Sequence, residues 1–512
     1  MKNINLLVFL LIIHFSVAQD LTLISDGSIT LTKDSYVFVG GNFNNNSGNV
    51  TLQSDSDEFS SLLVSGSASG NITYNRYVNT VGIGEWDLIG APVSDMAFST
   101  LIQDSNIATN ANFYAVGSYN NTTDTWTNAT NATTGNLVLG QGYQMATKSG
   151  GTLSFTGAIA SGGQTVNIAN NDAENSGAGR RWNLIANPFA SYLNGNSNAD
   201  ETHNFLTFNT AAIDDNFEAI YGWKADGTGY TIYNNTSSAT YIAPGQGFFV
   251  AALSDRKGDI IHFTQDMQTV TGADDFVSAK SATSYELVLD LYTNAVKVDD
   301  TKFYFKEGLT LGLDPGYDAG AFDQSSGFSS RLLEQDNGVS MDINAMSTEA
   351  MNNATIPLVI YQEAGVALKI QVANSTIPEN INVYLEDTTK NTFTLLNNKD
   401  FKLLAQTKLN GAGRFYLHYT TKTLSTESVS SASFLTAYKG TNSNYITIEG
   451  LQKFLQPANL HLYNVLGMKV LSKKIQKPTQ KEMLSTVGLD TGVYILKVQA
   501  ENIVFTKKLV IK

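Results

Sequence analysis

The stretch Glu85–Val93 reads EWDLIGAPV, and Arg181–Phe189 says nearly the same thing again as RWNLIANPF. Each is followed by a second shared phrase, GQGYQM at Gly140–Met145 and GQGFFV at Gly245–Val250, and then by GTLSFTG at 151–157 or GDIIHFTQ at 258–265. The order is the same in both places, and the Trp-to-Gly separations of 54 and 63 residues differ by one loop-sized insertion. An indole buries on the order of 200 Å² and so anchors a core. The Ala-Pro or Asn-Pro step stops the strand, because proline lacks a ladder donor and holds its predecessor extended. In Gly-Gln-Gly the glycines permit a turn or bulge before the next apolar strand. The sequence therefore predicts a duplicated β unit over residues 84–275, with copies at about 84–160 and 180–268.

The same style of writing extends in both directions. The 512 residues are rich in Gly, Asn, Thr, Ser and Tyr, hold only eight prolines and show no long helical period, which is the pattern of strands joined by tight turns. Upstream, residues 19–83 are short alternating runs such as LTLIS, SITLT and SYVFVGG, a β-turn-rich or solenoid-like segment. Before it, residues 1–18 carry Lys2, an apolar run from Leu6 to Phe15, and Ser16 and Ala18 at the −3 and −1 positions of a cut. This is the pattern of a signal peptide, too short to span a bilayer. Downstream, nine alternating runs over 280–420 predict a β-sandwich or jelly roll. A Ser/Thr-rich linker follows at 421–433, and about seven short strands fill 434–512, the size of an immunoglobulin-like sandwich. The expected fold class is all-β throughout, with several units in tandem.

Charge separates the last unit from the rest. The chain has a formal net charge of −14, yet Leu451–Lys512 holds ten lysines against Glu482, Asp490 and Glu501. An acidic body is a poor partner for nucleic acid, which needs clustered cations. The chain has no cysteine, which excludes disulfides and thiolate chemistry. No run outside the signal approaches the ~18 apolar residues of a membrane span.

The terminal unit resembles the type A C-terminal sorting domain of the Bacteroidetes type IX secretion system. The residues that carry this are Tyr463, Asn464 and Gly467 in LYNVLGMKV, then Leu489, Gly492 and Tyr494 in LDTGVYILKV, then Thr506, Lys507, Lys508, Leu509 and Ile511 in the closing strand. The resemblance implies that these form a sorting signal read by type IX export and attachment machinery. It also implies a product that passes the periplasm to the medium or the outer-membrane cell surface. The body is similar to uncharacterised β-rich Bacteroidetes surface proteins in the phrases at Trp182, Gly245 and Asp314–Ala319.

Within the closing strand, Ile503, Phe505, Lys507, Leu509 and Ile511 share one parity, so Lys507 points where an apolar residue belongs. An inward lysine protects an edge strand from pairing with other chains, and a bulge near Lys507 is the alternative.

Catalytic motifs are lacking. The five histidines, His14, His203, His262, His418 and His461, have no metal-helix spacing, and no Gly-x-Ser-x-Gly or phosphate-binding loop occurs. A hydrolase assembled without a local motif is the remaining enzymatic reading. Asp314, Asp318 and Asp323 lie close enough in sequence to offer Ca²⁺ its oxygen ligands, although Asp and Gly at such positions also simply shape turns; no other cofactor is expected. Trp126 and Trp223 fall in the variable loops of the two copies, beside Tyr119, Tyr221 and Tyr230. Exposed rings there suit a glycan or a partner protein, and core or cross-strand packing is the competing role. The leading expectation is a non-enzymatic, exported protein with an adhesive or structural role.

Overall fold

A three-residue strand has too few ladder bonds to stand alone, so the short runs of the first segment must find neighbours further along the chain. A computed structural model of the chain describes residues 19–24, 27–82, 86–172, 179–224, 229–253, 257–272, 284–421, 435–440, 443–454, 456–464, 469–500 and 503–511. The signal peptide expected at 1–18 and all but Thr421 of the expected linker lie outside these residues. Leu21–Leu23, Phe43–Asn45 and Ala68–Ser69 run parallel in one sheet; Ser28–Leu31, Asn49–Gln53 and Asn71–Val78 do so in a second, and Tyr36–Val39 and Ser61–Val64 in a third. Leu21 faces Phe43, Ser28 faces Asn49 and Tyr36 faces Ser61, so one rung takes 21 to 25 residues. The segment is a three-sided β-solenoid, the arrangement in which parallel strands follow one another without crossover helices. At a corner the buried Asn45 amide donates to Gly48 O at 3.0 Å and Asn71 O at 2.7 Å, joining one rung to the next.

The solenoid does not end where its sequence pattern does. Asn71–Val78 pairs antiparallel over eight residues with Gly151–Ala158, the last strand of the first copy. One core consequently runs from Leu23 through Leu52 and Tyr74 to Met145 and Phe155. The division expected between residues 83 and 84 is a change of pattern and not of packing. The last rung of a solenoid presents an open edge, and the first copy covers it.

The two copies share one register. Ile89 faces Tyr143 and Leu88 faces Gln144 in the first; Ile185 faces Phe248 and Leu184 faces Phe249 in the second. They also exchange bonds reciprocally. Gly90 N donates to Gly245 O at 2.8 Å, and Ala186 N, its counterpart, donates to Gly140 O at 2.8 Å. This explains both glycines of Gly-Gln-Gly. The first, Gly140 or Gly245, has φ of 78° or 66°, and at the second a Cβ would lie 2.7 Å from the other copy, on Leu184 Cγ for Gly142 and on the Leu88 carbonyl carbon for Gly247. The motif serves a self-complementary joint between copies.

The third unit is one continuous sheet of eleven strands. From edge to edge it runs Thr392–Leu395, Asn382–Asp387, Leu409–Thr420, Thr355–Gln362, Phe328–Ser330, Met341–Met346, Val296–Phe305, Tyr285–Thr293, Ala367–Ser375 and Phe401–Leu404, with Ala319–Gly320 beside Met341–Met346. It curls around one core that includes Leu289, Phe303, Ile356, Phe415 and Tyr419. Where a β-sandwich or jelly roll was expected, the unit is a single near-closed sheet. The twelve-residue strand Leu409–Thr420 bonds to a neighbour on each side and keeps the sheet continuous.

The last unit packs a three-stranded sheet, Thr436–Lys439, Tyr445–Glu449 and Lys481–Ser485, against a four-stranded one, Lys469–Ile475, Ala458–Asn464, Gly492–Ala500 and Ile503–Ile511. Ala437, Ile446, Leu460, Leu462, Leu496 and Val498 fill the space between them. The all-β class holds along the whole described chain. No helix among the described residues is long and apolar enough to cross a membrane.

Candidate functional site

The candidate sorting residues of the last unit divide by the pleat. Side chains on one face of a strand alternate with those on the other, so Tyr494, Leu509 and Ile511 turn inward and are buried, and Leu489 packs half-buried against the same core. Tyr494 faces Leu509, Gly492 faces Ile511, and the Tyr494 hydroxyl donates to Asp490 O at 2.8 Å, closing the turn that Leu489 begins. These residues build the sandwich. Gly492 has room for a side chain, since a Cβ there meets only Tyr494 at an ordinary 3.8 Å. Nothing in the structure explains it. Gly467 lies outside the described residues.

Tyr463, Thr506 and Lys508 turn the other way. They share the outer face of the four-stranded sheet with Lys469, Lys474, Lys497, Ile495 and Val510, as the pairings Tyr463 with Lys469 and Ile495, Lys497 with Thr506, and Ile495 with Lys508 require. Asn464 ends its strand opposite Tyr494. The face is solvent-exposed at Lys469, Lys474, Ile495, Thr506, Lys508 and Val510, a mixture of ammonium groups and aliphatic surface. His461, in its midst, has its imidazole held below the usual value by partial burial and then by Lys469 and Lys497. The lysines at 469, 474 and 497 were not among the candidates, and only strand register brings them to this face.

The ladder of the closing strand is regular from Gly492–Ile511 to Ala500–Ile503, so no bulge occurs at Lys507. Lys507 keeps inward parity opposite the buried Leu496, and its Nζ reaches beyond the sandwich to donate to Leu333 O of the third unit at 2.7 Å. Burial lowers its pKa despite the opposing pull of Asp336 and Glu334.

Trp126 and Trp223 lie on strands, Thr125–Thr130 and Ile220–Trp223, and not in loops. Each forms a cross-strand pair with a tyrosine: Tyr119 faces Trp126 with ring centroids 5.2 Å apart, and Trp223 faces Tyr230 at 5.0 Å. The pairs occupy equivalent places in the two copies with Trp and Tyr exchanged. Trp126 is 39% exposed, whereas Tyr230 is stacked 3.9 Å from Phe322 of the third unit. Tyr221 is fully buried and donates to Gly320 O at 2.7 Å.

The three candidate calcium ligands do not converge. Asp314 Oδ2 accepts from Thr310 N at 2.7 Å, Asp318 accepts from Asp314 N and Ala345 N, each at 2.7 Å, and Asp323 caps Ser325 and Ser326. Burial pushes Asp318 up to about 7. Among the described residues no group of three His, Asp or Glu is placed to hold a metal ion.

A cleft of about 620 Å³ opens between the second copy and the third unit, with a side lobe of about 420 Å³. Lys224, Tyr230, Val298, Asp299 and Asp342 line both, and Asp323 lines the lobe. Asp299 is bound by Phe328 N at 2.7 Å, and burial pushes it up to about 6. Asp342 faces the cleft and takes no hydrogen bond to its carboxylate among the described residues. Burial, and then Asp299 and Asp300, raise it well above the carboxylate range. Asp300, by contrast, is held down by Lys302, Lys224 and Lys297 against its own burial. One carboxyl raised and another lowered within a single cleft are the kind of pair that acid–base chemistry uses. The two adjacent aspartates in VKVDDTKFYF are the only trace of this cleft in the sequence.

Residues 441–512 match the secretion system C-terminal sorting domain, and the chain is a substrate of the type IX secretion system, exported to the cell surface or the medium. Residues 9–419 match the family described as Domain of unknown function (DUF8693), and the chain belongs to that family. The match spans solenoid, repeats and third unit together. No functionally curated protein matches the chain.

Proposed function

We propose that this protein enters the periplasm through the signal peptide at 1–18, crosses the outer membrane by its sorting domain, and serves outside the cell as a non-enzymatic adhesive or structural component. The observation that carries the adhesive role is the hairpin of the first copy. Thr122, Thr123, Asp124, Thr125, Trp126 and Thr127 are all exposed, and the indole is held from behind by Tyr119 and Phe249, the latter 6.3 Å away. A rigid, half-exposed indole among hydroxyls suits a sugar ring or a partner's apolar side chain, because little side-chain freedom is lost on contact. Purified protein should be retained on a surface polysaccharide or on partner cells, and Trp126→Ala should lower retention at least tenfold with unchanged circular dichroism. Equal retention of the variant would refute the role of the hairpin.

The cleft supports a second reading, a hydrolase acting on an extracellular polymer with Asp342 as acid and Asp300 as its ionised partner. Asp342→Asn would then abolish release of reducing ends from a polysaccharide panel. Failure of the parent protein to release any would end that reading.

A further inference from the structure

The third unit carries a surface built to hold the sorting unit. In the long strand Leu409–Thr420, Phe415 faces Leu358 but Gly411 faces Ile360, so four steps on one strand oppose two on its neighbour. The bulge uses φ of 96° at Gly411 and 100° at Gly413, and it turns the carbonyls of Ala412 and Gly413 out of the ladder. Buried carbonyls without partners are costly, and here the sorting unit supplies both partners. Gln480 Nε2 donates to Ala412 O at 3.0 Å and Gln452 Nε2 to Gly413 O at 2.7 Å. Gly413 is approached so closely that a Cβ would lie 2.8 Å from Gly450 N.

Three further contacts surround this centre. The Arg331 guanidinium, paired with Asp336, lies 3.9 Å from the ring centroid of Tyr438, and Gly338 makes room for that ring. Lys453 Nζ reaches Glu386 Oε1 at 3.0 Å while His418 Nε2 holds Oε2 at 3.0 Å. Lys507 donates to Leu333 O. Tyr416, a residue of the third unit, is fully buried within the core of the sorting unit. An aromatic–arginine anchor, satisfied carbonyls and a shared core are the marks of a specific interface and not of a tethered tail.

We propose that the third unit and the sorting unit form a specific non-covalent complex that persists when the chain between them is cut. Docking holds Lys507 against the body and leaves Thr506 and Lys508 on the free face, so export machinery meets the docked signal from one side only.

While the connection is intact it alone keeps the two units at an effective concentration of order millimolar, so only a cut reveals their own affinity. A protease recognition sequence placed within residues 422–433 of the full chain would allow the folded protein to be cleaved. The fragments should then co-elute in size-exclusion chromatography at about 10 µM, because a dissociation constant well below that is expected. Separate elution of two folded fragments would overturn the proposal. Gln452→Ala with Gln480→Ala should weaken the cut complex about tenfold, since two hydrogen bonds are lost without touching either core. An unchanged affinity would show that the interface lies elsewhere. Tyr438→Ala, which removes the anchor, should weaken it about thirtyfold or more.

Discussion

The two copies of the repeat carry the same aromatic pair in the same register and use it differently. In the second copy the pair is covered: Phe322 of the third unit lies between Tyr230 and Trp182, stacked at 3.9 and 4.2 Å. In the first copy the pair rests on Phe249 of the second copy, and Trp126 stays 39% exposed. The strand-opening tryptophans differ in the same sense, for Trp182 is 2% exposed in a large aromatic core while Trp86 packs half-buried on Ala108, Ala115 and Ala146. A duplicated unit has thus kept the aromatic pair of one copy as a joint within the body and left Trp126 of the other exposed. Local sequence sets the strand, and the neighbour decides whether its aromatic side is covered or exposed.

The largest effect that tests this contrast is loss of the covered copy. Trp182→Ala removes an indole stacked on Phe322 and packed against Phe217 and Tyr221, and should lower unfolding free energy by about 3–5 kcal/mol in denaturant titration. Next comes the joint between copies. Gly247→Ala pushes a methyl against the backbone of Leu88, which cannot rotate away, and should cost roughly 1–3 kcal/mol. Gly142→Ala meets Leu184 Cγ first and Ile185 O at 2.9 Å, so part of its strain can relax through a rotamer and the cost should be smaller. If Gly142→Ala proved the more damaging, the reciprocal joint would be less symmetric than its hydrogen bonds indicate.

Much of this was legible in the sequence, and the limits have physical causes. Period-two alternation showed the strands, and the repeat phrases showed the duplication, whose copies share the register Ile89–Tyr143 and Ile185–Phe248. The motif at Tyr463, Leu489 and Lys508 located the sorting unit. Pairing partners distant in sequence were not legible: Asn71–Val78 with Gly151–Ala158 welds two segments that differ in pattern, and Asp299 meets Asp342 only because their strands lie side by side. Lys507 was legible as an anomaly of parity, but its acceptor, Leu333 O, lies 174 residues away.

A smaller effect should follow pH. Burial opposes ionisation of Glu386, but the bonds from His418 and Lys453 outweigh it and hold its carboxyl below 4.5. A group depressed in the folded state stabilises above its unfolded value, and the contribution is lost as pH falls through the folded one. Docking of the sorting unit should therefore be fully supported above about pH 4.5 and loosen below it, seen as faster amide exchange at Gln452 and Lys453. Glu386→Gln should flatten that dependence. The smallest effect on stability belongs to the open copy: Trp126→Ala should change unfolding free energy by less than about 1 kcal/mol. A large loss there would mean that the exposed pair is core after all, and the contrast between copies would fail.

The central claim is that a folded C-terminal unit, and not the body, addresses this protein for export. The most direct measurement is the quantity of body recovered from the cell surface and medium, compared with that inside the cell, when the chain stops after Thr421. The account predicts that the truncated body folds, stays inside the cell and is absent from both outer fractions. Recovery of the truncated body outside in the amount found for the full chain would contradict it.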